Sequence, residues 1–527
     1  MTTVSASRHV LEVAMGSLIY PNSQFTNHES LPSLQESFSN FTKAFPQYSQ
    51  TDQADKIREQ EYYHLSLSNR VCFDYIGHGL FSYSQQRSHS WEAPVASTSC
   101  LEPPFFDISY KAANLHSQIQ YGGQMSELEY QMQKRIMALM NLSEDDYTMV
   151  FTANQLSAFK LVADSYPFQS NQNLLTVYDY ENEAVKVMTE SSKNKGARVM
   201  SAEFSWPSLR LKSGKLLKKV RRKRKNKRGL FVFPLQSRVT GARYSYLWMT
   251  MAQENGWHVL LDACGLGPKD METLGLSLFK PDFLVCSFFK VFGENPSGFC
   301  CLFVKKSSSS ILKDSTGTCI VRLVPARRPS QISEELANDD VETEERTKSG
   351  HSHLECRGLD HADSLGLILI SARARYLINW LVNALMSLQH PHSENRNPLV
   401  RIYGPKVKFD RGPAVAFNVF DWKGEKIDPS IVQKLADRNN ISLSKGFLLH
   451  IWFADEYEHE REQIIETRTS KGGKVLRISV VTASLGFLTN FEDIHRLWAF
   501  VSRFLDADFV EKERWRYTAL NQMTIEV

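Results

Sequence analysis

The sequence predicts an α/β protein of two domains, the larger one built on a mostly parallel sheet. From about residue 111, apolar strand-like runs alternate with helix-like segments, the pattern of parallel strands covered on both faces by helices. Two of these runs end at groups that an apolar interior excludes: Asp262 closes Trp257-His-Val-Leu-Leu-Asp262, and Lys290 stands between the runs 281–289 and 298–304. After about residue 390 the texture becomes a mixture of strands, a tight turn and amphipathic helices, as in a second, smaller domain.

The elements follow in order. Residues 1–70 are polar with scattered aromatics and read as an N-terminal extension with one or two short helices. Residues 71–110 group with 390–527 as the small α/β domain, and 111–389 form the large one. Over 124–141, Leu128, Met132, Ile136 and Leu139 share one helical face, and Ser126 with Glu129 forms a capping box. Strands are then expected at 147–152, 174–178, 230–234, 258–261, 283–287 and 299–304, with helices at 157–165, 183–191 and 246–255. The basic run 212–228 and the acidic run 330–349 lack a core-forming period and read as solvated loops. The apolar stretch 365–388 carries Arg373, Arg375 and Asn379, which are costly in a bilayer, so it reads as a long helix of a soluble protein. The small domain is expected to have strands at 413–420 and 475–480, a turn at 421–424, a helix at 429–437 and a final helix at 491–505.

A chain of 527 residues with 42% hydrophobic and 23% charged residues is ordinary for a globular protein of two or three domains. The net charge of +4 is small for this length, so composition implies no nucleic-acid or membrane partner. The run 212–228 leaves a nuclear signal or RNA contact as the alternative to a surface insertion. Eight cysteines in mostly apolar contexts favour reduced thiols in a cytoplasmic protein; the Ser/Thr-rich segment 1–20 keeps an organelle such as the plastid as an alternative. His351, His353, Cys356 and His361 are metal-ligand types in a row, at a spacing that fits no recurrent zinc pattern.

An acid at a strand's C-terminal end followed by a lysine one strand later suits pyridoxal phosphate. The lysine forms the Schiff base, and the acid pairs with the pyridinium nitrogen to keep the ring an electron sink. The alternative is that Lys290 snorkels from a strand end and Asp262 caps a turn.

With those two residues in place the chain resembles the class V aminotransferase-like enzymes that use pyridoxal phosphate, above all the cysteine-desulfurase part of the plant molybdenum-cofactor sulfurases. The matching stretches are Val71–Gly77, Met149–Asn154, Phe231–Gly241, Leu260–Ala263, Ser287–Gly293 and Leu476–Ser479, in the family's order. The resemblance implies an aspartate-aminotransferase-like (type I) fold, a homodimer and an amino-acid substrate such as L-cysteine. It also implies roles. Lys290 is the Schiff-base lysine and Asp262 the partner of the ring nitrogen. Gln236 lies on the phenolic oxygen. Ser287 and the turn carrying Asn154, Gln155 and Ser157 hold the phosphate. Arg477 holds the substrate carboxylate in a bidentate fork. Each keeps a structural alternative: a loop amide for Gln236, caps for the Ser and Asn positions, a salt bridge for Arg477. The sequence leaves no room for the family's C-terminal cofactor-binding domain after the final helix.

Three departures bear on activity. Where the family stacks a histidine over the ring, this chain has Asp179-Tyr-Glu-Asn-Glu183, with Tyr180 as a candidate. Leu156 replaces a phosphate-turn threonine. Phe447-Leu-Leu-His450 stands where desulfurases carry a mobile cysteine, and no cysteine follows Cys356. Sulfur transfer needs a thiolate to attack the substrate sulfur. A desulfurase, another pyridoxal-phosphate lyase or aminotransferase, and a non-catalytic binding or regulatory protein therefore all remain open.

Overall fold

The computed structural model describes residues 24–74, 106–122, 125–221, 229–265, 274–288, 298–325, 357–391, 398–406, 411–470 and 473–522. In chain order the elements used below are α1 (Leu34–Ala44), α2 (Asp52–Glu61), β1 (Val71–Cys72), β2 (Phe106–Asn114), α3 (Glu127–Leu139), β3 (Tyr147–Thr152), α4 (Gln155–Ser165), β4 (Asn173–Thr176), α5 (Glu183–Asn194), β5 (Arg198–Ser201), β6 (Phe204–Ser205), β7 (Arg210–Leu211), α6 (Ser213–Val220), β8 (Gly229–Pro234), α7 (Leu247–Glu254), β9 (His258–Asp262), β10 (Phe283–Ser287), β11 (Cys300–Lys305), β12 (Thr316–Pro325), α8 (Leu367–Met386), β13 (Val400–Tyr403), β14 (Ala414–Val419), α9 (Pro429–Arg438), β15 (Ile441–Ser442), β16 (Ser444–Leu448), β17 (Ile451–Trp452), β18 (Glu466–Ser470), β19 (Gly473–Ser484), α10 (Phe491–Ser502) and α11 (Ala507–Gln522).

Nine strands form the large sheet in the order β2-β12-β3-β11-β10-β9-β8-β4-β5. The contacts β10–β9, β9–β8, β8–β4 and β4–β5 are parallel. Those on either side of β11 and of β12 are antiparallel. Only β11 and β12 therefore run against the other strands, and the sheet is mostly parallel as expected. Its central strands are buried at every position from Gly229 to Pro234 and from Val259 to Asp262. That is why they read as unbroken apolar runs rather than alternating ones. Helices α3 and α4 start where the sequence offers side-chain acceptors: Ser126 with Glu129 completes a capping box, and Asn154 accepts from the Ser157 amide.

The second core lies on the antiparallel sheet β13-β14-β19-β16, to whose β19 the strand β18 also pairs. It differs from the sequence expectation in several ways. The stretch 71–110 does not stay together: β1 pairs with β15 in the small domain, whereas β2 enters the large sheet as a partner of β12. Helix α8, expected within the large domain, contributes Leu377, Trp380, Leu381 and Leu385 to the small-domain core. The N-terminal stretch is docked rather than free, because Phe41, Phe45 and Tyr48 bury against the same core. Buried Arg373 reaches from α8 to Asp55 of α2, with Nη1–Oδ2 at 3.0 Å. The basic run is not all loop. Residues 213–220 form α6, which buries Leu216 and Val220 and pairs Lys215 with Glu203. The short apolar period was masked by the surrounding charge. Residues 222–228, the acidic run 330–349 and three of the four zinc candidates lie outside the described residues. The chain also continues past 505 as α11.

No single helix among the described residues is long and apolar enough to cross a membrane. Among the same residues no group of three or more His, Cys, Asp or Glu side chains is placed to hold a metal ion.

Candidate functional site

The sheet register brings several of the predicted site residues to one edge. Asp262, Pro234 and Val285 are neighbours across β9, β8 and β10, and Ser287, Cys300 and Thr152 are neighbours across β10, β11 and β3. Just beyond these positions the chain leaves the sheet at its carboxyl edge. It carries Asn154 and Gln155 after β3, Tyr178 to Tyr180 after β4, Gln236 after β8 and Phe288 after β10, which ends at Ser287. Ligands of open α/β sheets bind in the crevice outside the carboxyl ends of the strands. Lys290 itself lies outside the described residues.

Asp262 has no solvent exposure. Burial raises its carboxyl pKa above the ordinary carboxylate range, partly offset by the donors on it. The Cys264 amide donates to Oδ1 at 2.9 Å, while Tyr178 Oη and Gln155 Nε2 donate to Oδ2 at 2.9 and 2.8 Å. The Gln155 side chain therefore faces the acid, while its backbone amide belongs to the start of α4. Asn154 spends its side-chain oxygen on the Ser157 amide, at 2.9 Å. The first α4 amides, of Gln155 and Leu156, have no intrahelical acceptor, as at any helix start, and the helix dipole adds positive potential there. Ser287 sits at the end of β10 on the same edge.

A second buried carboxylate builds the turn after β8. Asp179 accepts from Ser237 Oγ at 2.7 Å and Thr240 Oγ1 at 2.6 Å, and burial raises its pKa. This turn meets the small domain closely. Gly241 adopts φ +72°, and a Cβ there would lie 2.2 Å from the Ala414 carbonyl oxygen. Gly412 donates its amide to the Gly241 carbonyl at 2.7 Å. The Gln236 side chain lies against Gly412, and its Oε1 is buried without a hydrogen-bond donor. Arg411, also fully buried, donates Nη1 to the carbonyls of Thr240 and Ala414.

Among the described residues Arg477 makes no hydrogen bond or ion pair with Asp262 or Gln236. Its guanidinium stacks on Phe447 at 3.8 Å and lies 3.8 Å from both Glu181 and Glu466. It lines a separate cavity of about 250 Å³ with Trp452, Phe453, Arg461 and Ile465. The point of β19 that touches the turn after β8 is Thr482, whose Oγ1 donates to the Val239 carbonyl at 3.2 Å. Thr482 is five residues on from Arg477, roughly 16 Å along a strand.

The segment in place of the desulfurase cysteine is a strand. β16 pairs with β19 from Ser444 to Leu448, and Glu181 donates its amide to the Phe447 carbonyl at 2.8 Å. The Tyr180–Leu448 bridge presses buried Tyr180 against this strand and beside Tyr178, at 5.6 Å between rings. The described cysteines are free, and burial pushes the thiols of Cys264, Cys286 and Cys301 well up, and that of Cys72 to about 11. These are poor sources of thiolate. Tyr178, Asp179 and Arg411 escaped the sequence reading. The one available signal was Arg411-Gly-Pro, a charge directly before an unbroken apolar strand.

No family model matches the chain. It is similar to the molybdenum cofactor sulfurase of Homo sapiens, 28% identical over 434 residues that cover 74% of this chain and 43% of that protein. The molybdenum cofactor sulfurase of Solanum lycopersicum is 24% identical over 510 residues, covering 86% and 58% respectively. The chain thus spans about half the length of the curated relatives it matches. Among solved structures, the cysteine desulfurase of Thermococcus onnurineus NA1 superposes with TM-score 0.53 at 15% identity, over 85% of this chain and 97% of the other. A cysteine desulfurase of Escherichia coli gives 0.52 at 16% identity, over 86% and 98%. By sequence the chain is similar to the molybdenum cofactor sulfurases, and by structure it has the α/β fold of the cysteine desulfurases.

Proposed function

We propose that the chain binds pyridoxal phosphate at the carboxyl edge of its large sheet and acts there on an amino acid. The observation that carries this is the fully buried Asp262, at the end of a central strand and bonded through its backbone to Leu235, which leads into Gln236 with its buried, donor-less Oε1. An acid facing a ring nitrogen and an acceptor facing a ring hydroxyl are the groups such a cofactor needs. When bound, the cofactor supplies an electron sink for the substrate's α-carbon. Asp262 would hold the ring nitrogen, and a cation there would offset the burial that raises its pKa. Gln236 would accept from the phenolic group, and Tyr180 would cover the ring. Ser287 and the α4 start, with Asn154 and Ser157, would hold the phosphate. Lys290 would anchor the cofactor and move the α-proton. A homodimer, as in the resembled family, is part of the same proposal.

The residue set favours amino-acid chemistry without a persulfide relay. Phe447 and Leu448 occupy a hydrogen-bonded strand, and burial keeps the thiols of Cys264, Cys286 and Cys301 protonated. The same features support the second reading, a protein with this fold that binds without turnover. The test is the visible absorbance of the purified protein with pyridoxal phosphate, before and after borohydride, followed by peptide mapping and product analysis with L-cysteine. Failure to retain stoichiometric cofactor after gel filtration would sink the proposal. Retention without product from any amino acid would favour the binding role.

A further inference from the structure

We propose that Arg411 is the anion-binding residue of this site and holds the α-carboxylate of the amino acid near Gln236. The inference rests on the cofactor site proposed above and names the group that orients its substrate. Arg411 is 1% exposed, and only Nη1 has acceptors, the Thr240 and Ala414 carbonyls at 3.2 and 2.9 Å. Nε and Nη2, the two nitrogens of the guanidinium's side-on fork, are buried with no acceptor. Among the described residues no carboxylate pairs with it, and burial alone lowers its pKa to about 9. A buried charge of this kind is costly until an anion matches it.

The side chain against the next residue has the opposite need. A Cβ on Gly412 would fall 1.6 Å from Gln236 Oε1, so that unpartnered oxygen lies against the residue following Arg411. Gln236 in turn follows Leu235, whose amide donates to the Asp262 carbonyl at 2.8 Å. Two unmatched donors on Arg411 and one unmatched acceptor on Gln236, the latter against Gly412, thus lie at the domain junction. They suit an anionic group accepting the parallel N–H pair, next to a hydroxyl or ammonium that donates to Gln236. Arg477 is the weaker candidate electrostatically, since Glu181 and Glu466 flank its guanidinium, each at 3.8 Å.

The test compares L-alanine with ethylamine, which lacks the carboxylate, by titration calorimetry on protein with and without pyridoxal phosphate. Arg411→Met should weaken L-alanine by at least about 10- to 150-fold, the worth of one charge-assisted hydrogen bond, and leave ethylamine unchanged. Arg411→Lys keeps the charge but loses the fork, and should also weaken L-alanine. Arg477→Met should leave L-alanine within about twofold, the spread of a change that removes no contact. The melting temperature of Arg411→Met should not fall, because an unmatched buried charge is removed. A melting temperature that drops with the L-alanine-to-ethylamine ratio intact makes Arg411 a tie between Thr240 and Ala414 and overturns the inference. So does a wild type that binds no L-alanine in either form. Cofactor that fails to bind while Arg411-dependent L-alanine heat persists sinks only the cofactor proposal. Bound cofactor with an unchanged ratio in both Arg411 variants sinks only this one.

Discussion

Gly412→Ala tests the domain junction through a single methyl group. The φ of Gly412 lies outside the left-handed region, so the backbone accepts alanine. The new Cβ would meet Gln236 Oε1 at 1.6 Å and Cδ at 2.3 Å, where ordinary contact begins at 3.4 Å. The amide must retreat by nearly 2 Å, the difference between those two distances to Oε1. Gln236 is 1% exposed, so it has no solvent to retreat into. Overpacking of this kind costs about 1–3 kcal/mol. With Gln236 truncated to Ala the obstacle is gone. The same Gly412→Ala change should then stabilise by about 0.4–1 kcal/mol, by restricting the unfolded chain. Urea melts of the four proteins in this double-mutant cycle read the coupling directly. An equal cost of Gly412→Ala in both backgrounds would refute the contact. Cofactor affinity, measured alongside, should fall in Gly412→Ala and in Gln236→Ala alike.

Lys290→Ala should abolish borohydride-fixable cofactor, and Asp262→Ala should weaken cofactor binding about 10- to 150-fold, the loss of one charge-assisted hydrogen bond; a Lys290 variant that still traps cofactor would place the anchor elsewhere. With L-cysteine the wild type should yield no protein persulfide, and Phe447→Cys or Leu448→Cys should add a labelled site; persulfide mapped to Cys72, Cys264 or another upstream cysteine on wild type would restore a sulfur-transfer reading. In cofactor-free protein the raised Asp262 pKa gives a definite sign. The folded state holds that proton more tightly, so its contribution is full below the unfolded carboxyl range, about pH 4, and is lost as pH rises through the folded value. Asp262→Asn should therefore flatten the decline of melting temperature above pH 4; an unchanged slope would show that Asp262 is not the group titrating.

The large domain was legible because its central strands are buried on both faces. Strand β3 and strand β10 fall at 147–152 and 283–287, where the apolar runs put them. Strands β2 and β12 were not legible: they carry Tyr110, Lys111 and Arg322 on an edge pair, where one face is solvated and the apolar run breaks. The site was half legible. Asp262 and Gln236 stand out by strand ends and motif. The role of Arg477 rests on a short match, Leu476–Ser479, and four residues cannot say that its guanidinium stacks on Phe447 between Glu181 and Glu466. Arg411 was hidden for a different reason. Nothing in a sequence says that an arginine ends up buried without an acid, because that depends on what the opposite domain fails to offer.

The pairing of β16 and β17 with the large domain has a kinetic consequence. The amides of Glu181, Phe204 and Trp206 and that of Leu449 close four backbone bonds across the two domains, at 2.8 to 3.0 Å. At about 0.5–1.5 kcal/mol each, such bonds would hold this side shut by about 2–6 kcal/mol. The open population is then between about 3% and a few parts in a hundred thousand. A ligand held beneath Tyr180 would then wait on that rare opening to exchange on this side. Residence times on this side would be set by the seam between the domains, and not by the affinity of the groups that hold the ligand.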